Sequence, residues 1–130
     1  MKSLLVKLGV ILIGLSIFGH GFPVVNIANA QSTLSLQKMC AEEAKKFVND
    51  ITIKFACEYH YNSKLDKCFV KIVYFEKGAT VTLTNVFENK LIGHYDSQDY
   101  NSKPVFCSVG GKNCNSWVEF QALIKPYMEE

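Results

Sequence analysis

From Ile51 to Tyr61 the odd positions are apolar or aromatic: Ile51, Ile53, Phe55, Cys57, Tyr59 and Tyr61. The even ones, Thr52, Lys54, Ala56, Glu58 and His60, are mostly polar. A period of two marks a strand with one buried face. Asn62 to Lys67 is a polar break, after which Cys68 to Phe75 is rich in β-branched and aromatic residues. Two such runs joined by a short turn-forming loop predict a hairpin. In the register that sets Cys57 opposite Ile72, Tyr61 opposes Cys68.

Upstream, Cys40, Ala44, Phe47, Val48 and Ile51 recur at helical spacing, with Glu42, Glu43, Lys45, Lys46 and Asn49 on the other side. This predicts an amphipathic helix of about four turns, with Thr33 or Ser35 as its N-cap. It should end at Asn49-Asp50, where the period changes. Ile51 and Phe55 would also extend the helical stripe, but the β-branched residues from Ile51 to Ile53 favour strand.

Downstream, Glu76-Lys77-Gly78 turns the chain into a third strand, Val81 to Phe87, and Glu88-Asn89-Lys90 turns it into a fourth, Leu91 to Tyr95. Asp96 to Pro104 is a polar loop, and Val105 to Cys107 a last short strand. Gly110-Gly111 permits a tight reversal between Cys107 and Cys114. Ser116 and Glu119 have the spacing of a capping box. Trp117, Phe120, Ile124 and Tyr127 follow at core-facing intervals, and Pro126 should end the helix near Lys125. The prediction is an α+β fold: an N-terminal helix, an antiparallel meander of about four strands and a C-terminal helix. Both helices are expected on one sheet face.

The first thirty residues change the compartment. Lys2 and Lys7 precede an apolar or glycine run, Leu8 to Phe18, and Ala28-Asn29-Ala30 places small residues where a signal peptidase reads. This predicts a secretory signal peptide cleaved after Ala30. The apolar run is about half of the roughly 20 residues a membrane span needs, so no stable anchor is expected. Residues 31–130 then form one small domain, periplasmic or secreted.

Removing the leader also changes the charge. Of fourteen basic residues, all lysines, two lie in the leader, leaving twelve against twelve acids. A formally neutral domain carries no electrostatic footprint for nucleic acid. The lack of arginine removes the usual bidentate clamp for phosphate or carboxylate.

All five cysteines, Cys40, Cys57, Cys68, Cys107 and Cys114, lie beyond the leader. In an exported domain they read first as a disulfide framework with one thiol left over. Cys107 and Cys114, across a glycine turn, form a structural bridge. Cys57 and Cys68 share a hairpin face but are too far apart along it to bond, so Cys40 pairs with Cys68 or with Cys57. The leftover thiol is taken as Cys57, on the inward face, where a buried cysteine acts as a small hydrophobe. Cys57 and His60 resemble half of a zinc site that Cys68 and His94 could complete. Strand alternation sends His60 to the face opposite Cys57, and no metal or cofactor is expected. Tyr95 and Tyr100, flanking the polar loop, are the aromatics expected at a recognition surface.

The run His60-Tyr61-Asn62, Lys64-Leu65 and Lys67-Cys68-Phe69-Val70 resembles a family of small exported bacterial proteins with no assigned activity. Val86 to Lys90 with Gly93 and Tyr95 fits the same pattern, as does the ending from Cys107 through Gly110-Gly111, Cys114, Glu119-Phe120 and Pro126-Tyr127-Met128. The resemblance implies bridges among Cys40, Cys68, Cys107 and Cys114, with Cys57 as an addition. It transfers no catalytic residue. The expected function is therefore a non-enzymatic module binding an unknown envelope or extracellular protein or cell-surface partner. The alternative is a small hydrolase or thiol-dependent enzyme using Cys57 or a histidine.

Overall fold

A computed structural model describes residues 27–76 and 78–129. The predicted leader therefore lies outside the described residues except for its last four, which are helical. The elements run α1 (Ile27–Asn49), β1 (Phe55–Asn62), β2 (Lys67–Tyr74), β3 (Ala79–Asn85), β4 (Lys90–Ser97), β5 (Phe106–Val109), β6 (Lys112–Asn113) and α2 (Trp117–Met128). The strands form one antiparallel sheet in sequence order, β1 to β6. The α+β class, a helix at each end and the number of disulfides are as the sequence predicts; the meander is longer, with six strands. Further, α1 is already helical at Ile27 rather than capped at Thr33 or Ser35, and Cys40, open to Cys68 or Cys57 in the sequence, pairs with Cys68.

The first hairpin has the expected register, Cys57 opposite Ile72 and Tyr61 opposite Cys68. It starts later than the alternation implies. Regular pairing begins at Phe55, and the amide of Ile51 instead donates to the Val48 carbonyl at 3.1 Å. Ile51 is still apolar for a reason, because it packs with Phe47, Val48 and Phe55 beneath the helix. The hairpin turns at residues 63–66 and 86–89 are built alike. Each ends on a residue in the left-handed region, Asp66 at φ 51° and Asn89 at φ 49°. Asp and Asn are among the few side chains that tolerate it.

The two helices lie on opposite faces of the sheet, not on one. On β2, Phe69 and Val73 pack with Val81, Leu83, Tyr95, Val109 and the α2 residues Phe120 and Ile124. Their neighbours Val70 and Ile72 pack with Ala44, Phe47 and Val48 of α1. Because successive side chains alternate, β2 must be covered from both sides. This explains why its run reads as almost continuously hydrophobic. Gly93 makes the α2 side fit: a Cβ there would stand 3.2 Å from Val109 Cγ2 and 3.5 Å from Phe120 Cε2.

Two bridges tie this arrangement. Cys40 of α1 joins Cys68 of β2, with Cα atoms 5.3 Å apart, and Cys107 joins Cys114 at 5.1 Å. In the chain-entropy account they contribute about 3.5 and 2.5 kcal/mol respectively.

At its C-terminus α2 is held by the first hairpin. The side-chain amide of Asn62, fully buried, donates to the carbonyls of Pro126 at 3.0 Å and Tyr127 at 3.3 Å. Its oxygen accepts from the Leu65 amide at 3.0 Å. The helix therefore runs past Pro126 to Met128 rather than stopping near Lys125. The proline removes only one backbone donor in the last turn, and Asn62 takes up carbonyls the helix end leaves over. Asn62→Ala should strip partners from both sides of this junction. The expected loss is about 2–3 kcal/mol in urea denaturation, with an unchanged denaturant slope.

Candidate functional site

Bound side by side, α1 and β1 leave an open groove of about 810 Å³ at one end of the sheet. Its α1 wall includes Leu34, Lys38 and Ala41; its β1 wall is Tyr59, His60 and Tyr61. The reason is the narrowness of the α1 stripe. Cys40 and Ala44 are buried on the sheet, so positions 34, 38 and 41 beside that stripe face β1 across the opening. Leu34 is 67% exposed and Tyr59 is 47% exposed, two large apolar side chains facing one opening. Tyr61 is buried and fixed, its hydroxyl donating to Asp66 Oδ1 at 2.5 Å. Lys38 makes no ion pair among the described residues.

The side chains singled out for chemistry do not converge. Cys40, Cys68, Cys107 and Cys114 are consumed in bridges. Cys57 is unpaired but exposed, which corrects the expectation of a buried hydrophobe. Its face was assigned correctly. However, α1 meets that face of β1 only at its ends, Phe55 and Tyr61, and leaves Cys57 and Tyr59 between them exposed. Its chain neighbours on the same side of the strand are Phe55 and Tyr59, neither of them a base. His60 opposes Phe69 on the α2 side of the sheet, and His94, three strands along on β4, opposes Ser108 with its ring 5.1 Å from that of Phe106. Among the described residues no three of the His, Cys, Asp and Glu side chains cluster as metal ligands.

The aromatic pair expected at a recognition surface divides. Tyr95 is fully buried, edge-on to Trp117 at 5.2 Å and beside Phe120 at 5.5 Å. Tyr100 is 40% exposed, with its ring 4.6 Å from Trp117. The loop that carries Tyr100 is braced by Asp99. One carboxylate oxygen accepts from the amides of Asn101 at 2.7 Å and Ser102 at 2.8 Å, and the other from the Ser102 hydroxyl at 2.9 Å. Sequence reasoning located the loop and its aromatics but not the groove. The only signal for that was the spacing of Leu34, Lys38 and Ala41 beside the buried stripe.

No family model, curated protein or solved structure matches the chain. The two bridges are compatible with a periplasmic or extracellular location, and no helix among the described residues is long and apolar enough to cross a membrane.

Asp99 yields a pH prediction. Hydrogen bonds from Ser102 and then from the Asn101 amide hold its carboxyl below the ordinary value of 3.8. A depressed carboxylate contributes order that is complete above its unfolded pKa and is lost as pH falls through the folded one. The Asn101 and Ser102 amide resonances should hold their positions as pH falls to the ordinary aspartate range and move only below it. Asp99→Asn should abolish that acid transition.

Proposed function

We propose that the chain is an exported, non-enzymatic module that binds an envelope or extracellular protein partner through the groove between α1 and β1. The observation that carries this reading is the groove itself. It presents Leu34 and Tyr59 as apolar anchors with Lys38 as the charge beside them. The chemistry-bearing side chains elsewhere are dispersed or engaged in structure, which supports binding over catalysis.

The thiol-enzyme alternative has one observation in its favour, the exposure of Cys57. A catalytic thiol needs a lowered pKa and a base beside it. No histidine shares its surroundings.

The test is capture from the producing cell's envelope fraction, using the exported protein and three variants. Leu34→Glu and Ala41→Arg charge or fill the groove, and Val118→Glu alters an exposed position of α2. The reading requires a partner retained by Val118→Glu and lost by at least tenfold in affinity by both groove variants. Equal retention by all four proteins would place binding elsewhere. An alkylation profile of Cys57 against pH with its midpoint well below the ordinary thiol range, about 8.5, would move the case to the enzyme.

A further inference from the structure

The sheet has two edges, and they are unequal. β6 is two residues long, whereas β1 is eight and contains neither proline nor bulge. The Phe75 amide donates to the Lys54 carbonyl at 3.0 Å, so even positions of this segment face β2. Antiparallel alternation therefore turns the amides and carbonyls of Phe55, Cys57 and Tyr59 outward. Among the described residues no strand covers them. A long uncovered edge is a template for another strand, and proteins normally blunt it.

Charge identifies the strand that fits. Along this edge Lys54 is exposed without an ion pair among the described residues, and Glu58 is exposed with only one carboxylate oxygen on Lys71. We propose that β1 joins the β1 of a second copy, antiparallel about a two-fold axis at Ala56. That register sets Lys54 directly opposite Glu58 twice, once on each side of the axis. It also sets Phe55 opposite Cys57 twice, so the other face of the ribbon is apolar about the axis. Ala56 meets its copy on the axis, where a small side chain allows close approach.

The neighbouring registers are worse. An axis at Glu58 would put like charges face to face, which destabilises a cross-strand pair. An axis at Cys57 would leave Lys54 opposite His60 and Glu58 opposite Ala56. The charges on the edge therefore act as a register key rather than a barrier. The pairing would shield Cys57 in an oxidising compartment and join two sheets into one.

Sedimentation velocity over a dilution series of the exported protein tests this. A concentration-dependent dimer is expected. Lys54→Glu and Glu58→Lys should each weaken it about tenfold, and the double exchange should restore it. Amide hydrogen exchange supplies a second reading: the amides of Phe55 and Cys57 should be protected in the dimer and exchange freely on dilution. A monomer at every concentration overturns the proposal. So does a dimer indifferent to the charge reversals, which would use another surface. Protection of those amides that persists in the monomer overturns it too, because the chain would then cover its own edge.

Discussion

The bond between Cys40 and Cys68 fastens the middle of α1 to the start of β2, and most of the architecture on that side of the sheet follows from it. The helix offers a thin apolar strip, with Ala44, Phe47 and Val48 as its main contributions beyond the cysteine. A domain of about a hundred residues buries too little surface for such a strip to be held firmly by packing alone. The bridge removes conformational freedom from the unfolded chain, and its loop of 28 residues makes that effect larger than for the short Cys107–Cys114 loop. With α1 fixed over β2, its side facing β1 becomes one wall of the groove. The same placement leaves the middle of β1, Cys57 and Tyr59, exposed and its outer edge unpaired. Groove and open edge are thus two consequences of one covalent constraint.

The far side of the sheet is organised by packing. Phe120 sits over Gly93, Tyr95 and Trp117 meet edge to face, and Asn62 fastens the end of α2 to the first turn. The N-terminus of α2 is held by its own side chains. Ser116 accepts from the Glu119 amide at 3.2 Å, while the Glu119 carboxylate reaches one residue further back, to the Asn115 amide at 2.7 Å. The exposed ion pairs Lys46–Glu43, Lys67–Glu88 and Lys125–Glu129 decorate this frame and add little to it.

Much of the frame was legible from the residues, because period and turn chemistry are local. The alternation from Phe55 to Tyr61 and the break at Asn62 to Lys67 located the hairpin. Ser116 and Glu119 marked the start of α2, and spacing across the glycine turn marked the Cys107–Cys114 bridge but left the partner of Cys40 open. What was not legible depends on three-dimensional placement. Alternation tells which side Cys57 faces but not whether a helix covers that side, and α1 packs on Phe55 and Tyr61 at the ends of β1 while missing Cys57 between them. The apolar character of both faces of β2 was in the sequence, yet only a second layer explains it. Tyr95 read as a loop-flanking residue because β4 extends through Ser97, two positions beyond the expected end. The groove left almost no trace, since its α1 wall consists of residues next to the pattern rather than in it.

The claim on which the account depends is that the Cys40–Cys68 bond, more than packing, keeps α1 on the sheet. Residue-resolved amide hydrogen exchange of a Cys40→Ala/Cys68→Ala variant addresses it directly. Protection across the hydrogen-bonded body of α1 should collapse, while that of β3, β4 and α2 persists. A variant whose helix stays as protected as in the native protein would show that packing alone suffices, and the account would be wrong.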